Sequence, residues 1–139
     1  MASTAPRKLE FLGEQDEITP TFAASATYRE GDLLVALASG FAGAPTDTAD
    51  LIPLGVVTGE YADGTRDYAY AMGATAVRGK LKRGRVWLPF SGAAQADVGE
   101  PFYLADNNTL TKTAGSKTRT IRAIDFKAGY LLFDLRIVG

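Results

Sequence analysis

Val77-Arg78-Gly79-Lys80-Leu81-Lys82-Arg83-Gly84-Arg85-Val86-Trp87-Leu88-Pro89-Phe90 contains two alternating runs that do not share a phase. In the first, Arg78, Lys80 and Lys82 share one side of an extended chain, and Val77, Gly79 and Leu81 the other. In the second, Arg85, Trp87 and Pro89 alternate with Val86, Leu88 and Phe90. A period of two marks a strand with one buried face. The phase changes at Arg83-Gly84. This predicts either a tight hairpin turn there or a β-bulge at Gly84 in one long strand. Both solutions restore a single apolar face. Both gather Arg78, Lys80, Lys82, Arg85 and Trp87 on the opposite face, with Arg83 at the break.

Same-face residues two apart on a strand lie roughly 6.5–7 Å from each other. Rows of like charge at that spacing repel, so fold stability does not select them. Such a row either guards a sheet edge against aggregation or meets an acidic partner. The partner reading makes Arg78, Lys80, Lys82, Arg83, Arg85 and Trp87 the contact set, with the tryptophan as aromatic anchor and cation–π acceptor.

Outward from this segment the β pattern continues. Leu131, Phe133, Leu135 and Ile137 alternate with Tyr130, Leu132, Asp134 and Arg136, a half-buried strand. Leu33–Ser39 is apolar on both faces and reads as a buried strand. Leu54–Tyr61, Asp67–Met72, Phe102–Ala105, Thr109–Thr113 and Thr118–Phe126 also read as strands. Turn chemistry separates them at Glu30-Gly31-Asp32, Asp63-Gly64-Thr65 and Lys127-Ala128-Gly129. A two-residue Asn107-Asn108 turn would pair Asp106 with Thr109, since asparagine tolerates positive φ. No apolar helical period runs longer than two turns. About nine or ten short strands in 139 residues predict an all-β fold, a jelly-roll-like sandwich or small barrel. The division expected is a polar N-terminal arm over residues 1–17, with a short strand at Leu9–Leu12, followed by a single β-domain over 18–139.

The chain has neither histidine nor cysteine. That removes Ser-His-Asp and Cys-His catalysis, disulfides and His- or Cys-ligated metals. No cofactor is expected, and a binding protein is expected rather than an enzyme. Asp47 and Asp50 in a loop are hard-cation candidates without calcium-loop spacing.

Net charge is −1 but unevenly placed. Residues 1–77 carry 4 basic and 11 acidic side chains, net −7, and residues 78–139 carry 11 basic and 5 acidic, net +6. Either the two halves interleave in one fold, or a partner or neighbouring copy supplies the complement. A pI of about 5.4 argues against direct nucleic-acid binding. The N-terminus lacks the apolar core of a signal peptide. The longest strongly apolar run, Leu33 to Ala38, is far too short to cross a bilayer, so no membrane partner is expected.

The order of motifs also resembles a known family. Glu30-Gly31-Asp32-Leu33-Leu34-Val35 is followed by Leu54-Gly55-Val56-Val57 and Gly84-Arg85-Val86-Trp87-Leu88-Pro89. Then come Ala96-Asp97-Val98-Gly99-Glu100-Pro101-Phe102-Tyr103-Leu104-Ala105-Asp106-Asn107, Thr109-Leu110-Thr111 and a last strand from Gly129 to Val138. Across roughly residues 28–139 this is similar to the head decoration, or cement, proteins of tailed bacteriophages. The resemblance implies a compact β-domain without catalytic residues. It also implies a place on the outer capsid surface of the virion after synthesis in the host cytoplasm, and the major capsid protein and further copies of itself (a homodimer or homotrimer) as partners. The alternative is a carbohydrate- or nucleic-acid-binding β-module using Tyr68, Tyr70, Tyr103 and Trp87 as an aromatic platform.

Overall fold

The computed structural model describes residues 6–24, 26–46, 51–65, 69–71, 78–113 and 118–136. Asp47, Asp50 and Tyr68 lie outside them, as does Ile137. The fold is all-β. Its strands are β1 (Phe11–Ile18), β2 (Thr27–Arg29), β3 (Leu33–Ala36), β4 (Ala42–Gly43), β5 (Ile52–Tyr61), β6 (Ala69–Ala71) and β7 (Gly79–Pro89), then β8 (Pro101–Leu104), β9 (Leu110–Thr111), β10 (Thr118–Arg122), β11 (Asp125–Lys127) and β12 (Tyr130–Asp134). A single 3₁₀ turn, Gln95–Asp97, is the one helical element among the described residues. Seven strands form the main sheet. A three-stranded sheet runs β10-β8-β9, and β2 pairs with β6.

β7 is the hub of the main sheet. β1 lies antiparallel along one edge, placing Ile18 opposite Leu81 and Phe11 opposite Val86. Leu81 and Lys82 also pair with Val57 and Val56 of β5, while Arg85 to Pro89 pair with Asp134 to Tyr130 of β12. Residues 81–86 have only two edges and β1 occupies one, so β5 and β12 divide the other. They part at Gly84, whose carbonyl accepts the Leu135 N–H at 2.9 Å.

This arrangement resolves the phase change differently from either expected solution. There is no hairpin at Arg83-Gly84, and β7 keeps its parity from Gly79 to Pro89. The irregularity belongs to β1, where two extra residues, Gly13 and Glu14, intervene between the Leu12–Arg85 and Gln15–Gly84 pairs. Gly13 has φ +78°, which glycine adopts without strain.

The apolar side chains change face because the two ends of β7 are covered on opposite sides. Leu81 joins Phe22, Tyr28, Leu34, Ala42 and Val57 in one buried cluster. Val86 and Leu88 join Leu33, Val35, Val56, Phe102, Leu104, Leu110, Ala123, Leu131, Phe133 and Leu135 in the other. Neighbouring residues of one strand separate in the same way: Leu34 from Leu33 and Val35, and Val57 from Val56. Alternate residues of a strand point to opposite faces, so the main sheet is sandwiched diagonally.

Two further expectations change. The 106–108 turn has three residues, with Leu104 opposite Leu110 and the Ala105 N–H bonding the Thr109 carbonyl at 2.9 Å. Asn107 is drawn inward there, donating from Nδ2 to Asp32 Oδ2 at 3.3 Å. The expected Thr118–Phe126 strand breaks at Ala123-Ile124, where buried Ala123 exchanges backbone hydrogen bonds with Gly99 and Glu100.

Candidate functional site

The six candidate residues do not share one face. Lys82 lies opposite Val56 and Glu17, on the side of the larger cluster. Lys80, two residues away, is on the same side. Arg83 and Arg85 lie opposite Asp16 and Leu12, and Trp87 opposite Leu132, all on the side of Leu81. Arg78 stands just before β7, bridged to Thr21. The diagonal cover therefore leaves two charged quarters of the main sheet, one on each face.

The first quarter is a mixed-charge groove of about 230 Å³ lined by Arg7, Phe11, Glu17, Thr58, Glu60 and Lys82, among others. Lys80 pairs with Glu60 at 3.0 Å, and that hydrogen bond raises the lysine's pKa above its ordinary value. Lys82 stands 5.6 Å from the centroid of the Phe11 ring. Arg7 closes one end. Its backbone N–H bonds the Glu30 carbonyl at 2.8 Å, and its Nε donates to the Gly31 carbonyl at 3.1 Å. Burial lowers the Arg7 pKa, while Asp32 and Asp106 oppose that shift. Arg78 is pinned elsewhere, donating to the Thr19 carbonyl at 2.8 Å and to Thr19 Oγ1 at 2.7 Å.

The second quarter holds Arg83, Arg85 and Trp87. Trp87 is only 8% exposed, and Lys127 Nζ stands 4.5 Å from its ring centroid, held by Glu10 at 2.8 Å. Trp87 is thus a covered ring, not a protruding anchor. Leu12 (43% exposed) and Tyr130 (40%) flank it. Asp134 accepts from Arg136 Nε and N–H. Burial works against its carboxylate, yet the Arg136 donors and the charge of Arg85 hold its pKa below the ordinary carboxylate range.

Arg83 and Arg85 are poorly served. Arg83 donates one guanidinium nitrogen to the Leu135 carbonyl at 3.3 Å. The Nε atoms of both arginines are buried without a hydrogen-bond partner. A Cβ added to Gly13 would sit 2.6 Å from Arg85 Nη2, so the bulge glycine makes room for this guanidinium.

The lopsided sequence charge also finds its explanation. The acidic segment Glu14 to Glu17 lies within β1, alongside basic β7, with Asp16 opposite Arg83 and Glu17 opposite Lys82. Of the aromatic platform, Trp87 lies in β7 of the main sheet and Tyr103 in β8 of the three-stranded sheet, while Tyr68 and the side chain of Tyr70 lie outside what is described. What signalled the second quarter in the sequence was the Arg85-x-Trp87 alternation. Lys127, Glu10, Leu12 and Tyr130 carried no signal, because only the pairing of β1, β11 and β12 brings them there. No protein-family model matches this sequence, and no curated protein matches it.

Proposed function

We propose that this chain is a structural, non-enzymatic protein that attaches to the outside of a tailed-bacteriophage head and bridges neighbouring major capsid subunits, acting as a decoration or cement protein. The observation that carries the reading is the diagonal sandwich. A bridging protein needs two separate contact surfaces held rigidly relative to each other, and one hydrogen-bonded sheet here presents two charged quarters on opposite faces. Both quarters mix acidic and basic side chains, which suits register-specific docking on another protein surface more than adhesion to a uniformly charged polymer. The ordered motifs from Glu30 to Val138 support the same assignment. Self-association into a dimer or trimer belongs to this proposal, since a symmetric shell presents repeated sites.

Co-sedimentation with undecorated heads tests it. Saturable uptake at a fixed ratio to capsid subunits is the expected outcome. Unsaturable or absent uptake at micromolar protein refutes it.

A further inference from the structure

Half-buried guanidinium groups with unmet donors mark a place built for an acceptor. A guanidinium carries five N–H donors and no acceptor. Arg83 spends one of its donors on a carbonyl, the Arg85 guanidinium acts on Asp134 through its charge without a side-chain hydrogen bond among the described residues, and both Nε atoms are buried and unpartnered. The two side chains point to the same face of β7 and sit two residues apart, hence roughly 6.5–7 Å along the strand. The smaller cluster takes in Leu81 of β7 and neither arginine.

We propose that Arg83 and Arg85 form a carboxylate-docking row that receives an acidic, extended segment of another protein, with Trp87 and Lys127 at its end. The site deepens the attachment role above and rests on it for the identity of the partner, but its chemistry stands alone. An extended peptide repeats its same-face side chains at the spacing of the two arginines, so carboxylates on alternate residues meet both forks at once. The surroundings decide between anions. Glu10, Asp16 and Asp134 fringe the row, and a continuous phosphate backbone would be driven against them, whereas isolated carboxylates fit between. Lys127, tethered over Trp87 by exposed Glu10, can exchange that tether for a carboxylate of the incoming segment.

Trp87 is the only tryptophan in the chain and so reports on the site directly. The experiment titrates the full chain with a synthetic peptide bearing glutamates on alternate residues, following indole emission. The expected result is a saturable change that Arg83→Gln/Arg85→Gln weakens about 100-fold, because that variant cannot form either charge-assisted hydrogen bond. Arg85→Lys, which keeps the charge and lacks the fork, should weaken binding by about tenfold. Lys80→Gln/Lys82→Gln, on the opposite face, should bind like the parent. Circular dichroism of each variant verifies the fold, and the lysine substitution carries the test if the double variant unfolds. No saturable change, equal binding by all variants, or tighter binding of a single-stranded oligonucleotide of the same charge overturns the proposal. Peptide binding without uptake on heads would instead sink the attachment role and leave this site standing.

Discussion

If β7 is one continuous strand between two clusters, Leu81 and Val86 must be energetically independent. Had the chain turned back at Arg83-Gly84, these two would be cross-strand neighbours. The structure instead places Leu81 against Val57 and Val86 against Phe133, in different clusters and on opposite faces. Both side chains are fully buried. Leu81→Ala should cost about 2–5 kcal/mol, through transfer of the lost methyl groups and the cavity left behind. Val57→Ala and Val86→Ala each remove two buried methyl groups, about 2 kcal/mol apiece. The discriminating quantity is the coupling within each pair, measured by urea denaturation of the single and double variants. Leu81 with Val57 should couple by about 0.5–3 kcal/mol, because each relaxes into the other's space. Leu81 with Val86 should add to within about 0.5 kcal/mol. Strong Leu81–Val86 coupling, or none between Leu81 and Val57, would refute the diagonal sandwich. Leu81→Val is a milder substitute should a double variant fall below the folding threshold.

Other consequences are testable in the same way. Gly84 has φ +153°, and an added Cβ would lie 2.9 Å from the Glu14 carbonyl oxygen. Gly84→Ala should therefore cost about 1–3 kcal/mol through strain and crowding against the β1 bulge, read from the same denaturation curves. Lys112 and the Ala94 N–H hold the Asp97 carboxyl below its ordinary pKa. A carboxylate with a lowered folded-state pKa stabilises above its unfolded value and loses that contribution as pH falls through the folded one. Asp97→Asn should thus destabilise at neutral pH and converge on the parent in strong acid, in melts followed across pH. Removing the cap over the indole by Lys127→Ala should shift Trp87 emission to the red. An unchanged spectrum would mean that Lys127 does not cover the ring.

Much of the fold was legible because strand patterning is local. Leu131, Phe133 and Leu135 do share one buried face, and the glycine-led turns fall between strands. The phase change in β7 was equally visible, but its cause was not. Alternation tells which neighbours share a face and is silent on which face is covered at each end of a strand. That depends on β3, β5 and β12, which lie far away in sequence. The β1–β7 pairing likewise spans more than sixty residues, so the acidic arm could not be matched to its basic neighbour from composition. The candidate cations are neighbours in sequence, while their division between two faces followed only from the register. The turn at Asn107 is one residue longer than the sequence suggested, and the Asn107 side chain reaches Asp32, a contact distant in sequence.

The attachment role is tested most directly by electron cryomicroscopy of undecorated heads incubated with the purified chain. The account predicts ordered density for this β-domain at one repeated position, contacting two neighbouring capsid subunits, with the Arg83–Arg85 face turned toward one of them. Heads that remain bare at saturating protein would contradict it.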